Sequence, residues 1–264
     1  MRIGIYTNKL KDADYKWTNK LQSLLSKSGI DYVEIRADST DYNIDLLIVL
    51  GGDGTLLKLV DYLVRANVPV IGINAGSVGF LAEFETFEIE EAVNLIRNNE
   101  LKVDERIVMK TKIDGNVHYA LNELVLQRLF DDAPQKIVAV DVAINGEYVD
   151  KIDGDGIIVS TPTGSTAYSL SAGGSILAPG INAFSMTPIC AHSLHNRPLV
   201  FSADAFCELT IISNAACGLF IDGVLIQNLK KDDKITVRKS NKTIKFLRKK
   251  DTNFYSRLLN KLKK

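Results

Sequence analysis

An uninterrupted apolar run that ends on a glycine-rich corner constrains this chain most. Residues 45–50 close on Leu46-Leu47-Ile48-Val49-Leu50 and pass directly into Gly51-Gly52-Asp53-Gly54-Thr55, after which helical spacing holds over 56–65. A strand that is apolar at every position is covered on both faces, the condition of a strand inside a parallel sheet. The rhythm repeats on either side. Residues 2–6 read as a strand. Residues 14–27 read as a helix through Trp17, Leu21, Leu24 and Leu25, with Gly29 as its cap. Residues 31–36 are a second strand, 68–73 another buried strand ending in a Gly-rich turn, and 87–98 a helix. This alternation predicts an α/β unit with a parallel sheet and right-handed crossovers.

Near residue 100 the pattern changes. Short β-branched runs take over at 106–113, 119–129, 137–144, 156–160, 205–212, 234–238 and 242–247, with Gly115-Asn116 and Asn145-Gly146 between runs as hairpin turns. The expectation is two domains. Residues 1–100 form the α/β domain carrying the GGDGT loop. Residues 101–250 form an antiparallel, β-sandwich-like domain. A short helix at 253–259 closes the chain, and the segment 253–264 is expected to pack on the first domain.

Composition excludes several classes. Lysine plus arginine number 32, equal to aspartate plus glutamate, so the basic excess of a general nucleic-acid binder is missing. The lysine-rich tail from Arg248 to Lys264 reads as the solvated end of an amphipathic helix. No basic segment precedes an apolar one at the N-terminus, and no apolar run approaches the ~18 residues of a membrane span. Neither nucleic acid nor membrane is expected as a partner. Cys190, Cys207 and Cys217 have no CxxC spacing, and with three scattered histidines they make no zinc signature. A reduced, cytoplasmic setting is expected, with each cysteine buried as packing.

Four motifs carry chemistry. The first is the Gly51–Thr55 corner. At the carboxyl end of a parallel strand, glycines let backbone N–H groups approach a phosphate; the competing reading is a helix N-cap. No GxxxxGK[ST] occurs, and Gly52–Leu57 only half matches GxGxxG, with no acidic residue at 71–75 to bind a ribose. A P-loop enzyme and an ordinary Rossmann dehydrogenase are both disfavoured. Asp53 is out of place beside a phosphate unless it holds Mg²⁺ or accepts the proton of an attacking hydroxyl. The second motif is Asn74-Ala75-Gly76-Ser77-Val78-Gly79-Phe80, where Phe80 either stacks on a base or packs. The third is Asn122-Glu123 within an apolar run. It marks either a strand edge near a ligand or a change of register, because a buried polar group without a partner is costly. The fourth runs from Gly154-Asp155-Gly156 through Ser160-Thr161-Pro162-Thr163-Gly164-Ser165-Thr166-Ala167-Tyr168-Ser169-Leu170-Ser171-Ala172-Gly173-Gly174. A long polar loop inside a domain is usually functional. Its hydroxyls suit a polyhydroxylated ligand, and Tyr168 can stack. The absence of a nearby histidine and of a GxSxG elbow disfavours hydroxyl nucleophilic catalysis.

In this order the four motifs resemble the NAD kinase family, over most of the chain from Asp45 to Asp222. GGDGT alone is shared with lipid kinases and phosphofructokinases. GDGIIVSTPTGSTAYSLSAGG joined to Leu121-Asn122-Glu123 is specific, and His195-Asn196-Arg197-Pro198-Leu199 also looks like the family. The resemblance implies a kinase that transfers a phosphoryl group from ATP with Mg²⁺, or from polyphosphate, to the 2′-hydroxyl of the adenosine ribose of NAD, producing NADP. It implies no tightly bound cofactor, a cytoplasmic homo-oligomer (dimer or tetramer) and a prokaryotic type. It assigns Asp53 as the proton acceptor. The NAD site would comprise Gly54, Thr55, Phe80, Asn122, Glu123, Asp155, Thr163, Thr166, Ala167, Tyr168, Ser171 and Asp222. Two departures stand out: Asp153, an acid where several members carry a basic or neutral side chain, and Gly223-Val224, without the glutamine that often follows this turn. A lipid kinase and a non-catalytic NAD sensor are the alternatives; the AYSLSAGG loop argues against the first and Asp53 against the second.

Overall fold

The computed structural model describes residues 1–76, 79–129, 136–193 and 195–263, apart from the side chain of Leu262. The chain divides into two compact units, residues 1–106 with 243–264, and residues 107–242.

The first unit begins with β1 (Arg2–Thr7), α1 (Lys16–Lys27), β2 (Asp31–Glu34), β3 (Leu46–Leu50), α2 (Asp53–Leu57), α3 (Val60–Ala66), β4 (Val70–Asn74), β5 (Phe84–Glu85) and α4 (Ile89–Arg97), and continues into β6 (Lys102–Ile113). β4, β3, β1 and β2 pair in that order, all parallel. Every residue of β3 and β4 is buried, as the unbroken apolar runs require. Alternate strand residues divide between the two faces. Ile3, Ile5, Leu46, Ile48, Leu50, Ile71 and Ile73 share a core with Leu21 and Leu25 of α1 and with Ile89, Ala92, Val93 and Ile96 of α4. Gly29, at φ +66°, ends α1 as expected. The helix expected over 56–65 is two helices. The turn after α2 closes tightly, with Leu59 N–H donating to the Leu56 carbonyl, and this brings Leu59, Val60 and Leu63 all into the interior.

The second unit holds the rest of β6, then β7 (Asn116–Ala120), β8 (Glu123–Arg128), β9 (Val138–Ile144), β10 (Glu147–Gly154), β11 (Gly156–Ser160), α5 (Tyr168–Ser171), β12 (Ala183–Ile189), β13 (Leu199–Ser202), β14 (Cys207–Ile211), β15 (Cys217–Ile221), β16 (Val224–Leu229) and the first part of β17 (Lys234–Arg248). One antiparallel sheet runs β13-β12-β11-β8-β15-β16. A second set pairs β10-β9-β14-β17, again antiparallel. Leu124, Leu126, Ile157, Val159, Phe184 and Met186 from one sheet share a core with Val138, Val140, Val142, Leu209, Ile211 and Val237 from the other. This is the sandwich predicted. The alternate residues Val125 and Ile158 face the opposite side, where Tyr168 and Ala172 cover them.

Several expectations need correction. The run 119–129 is two strands that break at Leu121-Asn122. The first hairpin turns at Asp114-Gly115, both at positive φ, because Ile113 pairs with Asn116; Asn145-Gly146 turns as expected. Residues 234–248 form one strand, and 243–250 belong to the first unit, where Phe246 pairs in parallel with Val70 of β4. Helix α6 (Phe254–Leu262) also belongs there. Cys207 and Cys217 are buried, and burial pushes both thiols up to about 12, but Cys190 is exposed and at φ +46°. The basic tail is not merely solvated, since Arg248 is 2% exposed.

Candidate active site

The candidate residues fall into two groups, one in each unit. In the first, Gly52 stands at the N-cap of α2 with no side chain capping the helix, so the N-cap reading of the corner fails. The Asp53 carboxylate reaches another loop instead: Oδ2 accepts from Phe80 N–H at 2.7 Å and Oδ1 from Leu81 N–H at 3.0 Å. Each oxygen keeps further lone-pair capacity, so the anion is held but not saturated. Gly79 is required by this approach, since a Cβ there would lie 1.9 Å from Asp53 Oδ1. A Cβ on Gly54 would meet nothing within 4 Å, leaving room beside Asp53. Thr55 is buried under Gly51, its hydroxyl accepting from Asn8 Nδ2 at 2.8 Å, which makes it scaffold for the corner rather than ligand surface. Phe80 is half-buried with the Lys261 ammonium 4.0 Å from its ring centre, so the ring already has one cationic neighbour. Asn74 is buried with Nδ2 bound to Glu85 and Oδ1 without a partner, a loose end that the sequence did not single out. Ser77 and Val78 of this motif lie outside the described residues.

In the second unit, the break between β7 and β8 is made by Asp222. Oδ2 accepts from Leu121 N–H at 2.9 Å, and Oδ1 accepts from Asn122 and Glu123 N–H at 2.8 and 3.1 Å. Asp222 N–H returns a bond to the Glu123 carbonyl at 3.0 Å. Asp222 sits at φ +45°, the first corner of a tight turn between β15 and β16, a conformation that Asp tolerates. The Asn122-Glu123 pair is thus a corner built by a distant carboxylate, a third possibility beside the two read from the sequence.

Burial, and then the Asp222 charge, push the Glu123 carboxyl up to about 8, and its Oε2 is buried without a partner. Burial raises Asp222 to about 6 despite its three backbone donors. Glu123 is therefore neutral near pH 7 and can donate as well as accept. The Asn122 carbonyl accepts from Thr161 N–H at 2.8 Å and abuts Gly164, where a Cβ would come within 2.2 Å. This pins the fourth motif to the corner. Thr163 is buried, and Thr166 donates to its carbonyl at 3.3 Å. Ala167 links this turn to α5, and Ser171 at its end is exposed. Burial, and then the charges of Cys190, Asp155 and Glu123, raise the Tyr168 hydroxyl above its ordinary range. Asp155 pairs with Arg128 at 2.9 Å. Asp222, Asn122 and Glu123 thus gather at one end of β8, whereas Asp155, Arg128 and Cys190 lie toward its other end, where Gly156 pairs with Gln127 and Ile189, and Tyr168 covers the face of Val125 and Ile158. The motifs flagged neither Arg128 nor Cys190. Asp153 pairs with Lys151 at 3.1 Å, so its charge is answered within its own strand.

The chain is similar to known enzymes along its length. Residues 6–101 match the family described as the ATP-NAD kinase N-terminal domain and residues 121–249 its C-terminal domain. The chain belongs to the NAD kinase family. It is 35% identical to the NAD kinase of Caldicellulosiruptor saccharolyticus over all of both chains, and 36% identical to that of Methanosphaera stadtmanae over 99% of each. Among solved structures it resembles an NAD kinase from Archaeoglobus fulgidus in complex with ATP, with a TM-score of 0.83 and 26% identity over 100% of this chain and 99% of that one. It also resembles yeast NADH kinase complexed with NADH, with a TM-score of 0.82 and 28% identity over 99% of this chain and 87% of that one. The lipid-kinase alternative falls with the family assignment. Among the described residues no helix is long and apolar enough to cross a membrane.

Proposed function

We infer that this kinase transfers the terminal phosphoryl group of ATP to the 2′-hydroxyl of the adenosine ribose of NAD, with Asp53 accepting the hydroxyl proton. The observation that carries the role is the Asp53 carboxylate itself, ordered by two backbone N–H groups beside open space at Gly54. A ribose hydroxyl is far too weak an acid to be deprotonated in the ground state, so Asp53 orients it and takes the proton as the O–P bond forms. Asn122 and Glu123 hold ribose hydroxyls: the Oε2 of Glu123 is buried without a partner, so a ligand hydroxyl there repairs a standing deficit. Asp222 builds that corner. Tyr168, beside Asp155, flanks the nucleotide, and Thr163, Thr166, Ala167 and Ser171 line the turn around it.

Among the described residues no three His, Cys, Asp or Glu side chains cluster to cage a metal ion. In this reading Mg²⁺ arrives on the phosphates of ATP. Such an ion would neutralise phosphate charge. A cytoplasmic dimer or tetramer, with polyphosphate as a second donor, completes the reading.

Incubation with NAD, ATP and Mg²⁺, read by a dehydrogenase that accepts only NADP, tests the reaction; polyphosphate in place of ATP tests the second donor. Asp53→Asn is expected to lower kcat at least ~10³-fold while NAD affinity stays within a few-fold, a loss of about 4 kcal/mol of transition-state stabilisation. Collapse of NAD binding instead would make Asp53 a ligand contact, not a base.

A further inference from the structure

Arg248 is the largest fully buried side chain among the described residues, and the chemistry above makes no use of it. A buried guanidinium is costly and needs a return. Arg248 pairs with Glu83 at 3.1 Å and with Asp104 at 3.3 Å, and burial lowers it to about 10, leaving it charged at neutral pH. Its other contacts are unusual, because they go to backbone. Nη1 donates to the Leu81 carbonyl at 2.7 Å and Nη2 to the Phe80 carbonyl at 3.4 Å. Arg257, on α6, repeats the pattern: Nη1 donates to the Phe80 carbonyl at 3.3 Å and Nη2 to the Ala82 carbonyl at 2.6 Å. Glu83 Oε2 lies 3.2 Å from Arg257 as well, so one buried carboxylate spaces the two guanidinium groups.

The Phe80 carbonyl and the Leu81 N–H are two ends of one planar peptide group. The carbonyl end receives both arginines; the N–H end donates to Asp53. A cation on the oxygen strengthens the N–H as a donor, because linked hydrogen bonds polarise one another. It also fixes the plane of that peptide, so that the Leu81 N–H points at the carboxylate. We propose that Arg248 and Arg257 are positioning residues for Asp53, acting through the Phe80–Leu81 peptide, and that the C-terminal helix is thereby part of the catalytic apparatus. This rests on the reading of Asp53 as proton acceptor. The charged groups that face the segment are Arg248, Arg257, Lys261 and Glu83, with Asp104 and Arg106 behind Arg248.

Arg257 is the residue to change, since its side chain is 27% exposed and its loss leaves no buried cavity. In the full-length protein, Arg257→Met is expected to lower kcat about tenfold, in line with a small misplacement of a reacting group. The KM for NAD should stay within about twofold, because no part of the proposed NAD-binding corner is touched. Arg257→Lys keeps the charge but not the fork and should restore part of the loss. Wild-type kcat in Arg257→Met overturns the proposal. So does a loss shared between kcat and KM that lysine does not repair, the mark of a merely structural role. Asp53→Asn run in parallel separates the two readings: if it retains turnover, the base assignment and this proposal fall together. If Asp53→Asn is inactive while Arg257→Met is fully active, only the arginine proposal falls.

Discussion

Replacing Glu123 by glutamine should remove a pH-dependent weakness that the pocket builds into the fold. Glu123 is 6% exposed, and its carboxyl is raised from the ordinary 4.5 to about 8 by burial and then by Asp222. Asp222 is raised from 3.8 to about 6, also by burial. The folded chain therefore keeps the Glu123 proton over a range in which the unfolded chain has released it. With more protons bound folded than unfolded, stability is full below about pH 4.5 and falls as the pH rises toward 8. Asp222 contributes the same sign of loss, but only up to about pH 6, so of these two groups Glu123 alone acts from 6 to 8. Two pH units at ~1.4 kcal/mol each give about 3 kcal/mol lost by the wild type and not by Glu123→Gln. At pH 6 the amide is a neutral isostere of the protonated acid, so the two proteins should start within about 1 kcal/mol of each other. Urea unfolding of both at pH 5, 6, 7 and 8 measures the difference directly. Parallel stability curves across 6–8 would refute the reasoning, since they would mean that Glu123 is already ionised in the fold.

Two further outcomes follow from the geometry. Gly79→Ala should cost kcat about a hundredfold with little change in thermal unfolding, because its Cβ would sit 1.9 Å from Asp53 Oδ1 and must displace the carboxylate by roughly 1 Å; steady-state kinetics beside a melting curve decide it, and wild-type kcat would contradict the placement of Asp53. Asp222→Asn turns an NH₂ toward backbone donors that now meet a carboxylate, so a loss of about 1–3 kcal/mol and a raised KM for NAD are expected by denaturation and kinetics; unchanged values would mean that the Asn122-Glu123 corner holds itself.

Much of this protein is legible from residue order. The apolar runs at β3 and β4 announce strands covered on both faces, and the short β-branched runs after residue 100 announce a sandwich, because burial pattern follows strand geometry directly. The glycine corner and the polar loop at 160–174 could be picked out as sites because glycine density and hydroxyl density are costly anywhere else. Besides the two-residue β5, five strands escaped notice, at 147–154, 183–189, 199–202, 217–221 and 224–229, because their residues are mixed in polarity or interrupted by proline and glycine, and only pairing partners make them strands. The family resemblance also supplied the residue roles; residue chemistry alone had reached only a phosphate-facing loop with a carboxylate in it.

What the sequence by itself determined is therefore part of the local vocabulary: the strongly apolar or β-branched strands, the main helices, and which polar groups are too many for a core. What tertiary structure decided is who meets whom. Asp222 reaches back about a hundred residues to cap Leu121, Asn122 and Glu123. Arg248 and Arg257 grip Phe80, Leu81 and Ala82 from more than 160 residues away. Buried charge settles such meetings, since an ionised side chain without water must find its partners wherever the chain brings them, and one-dimensional spacing holds no record of that search. Asp53 was visible as an anomaly in the sequence; the peptide that holds it, and the arginines that hold that peptide, were not.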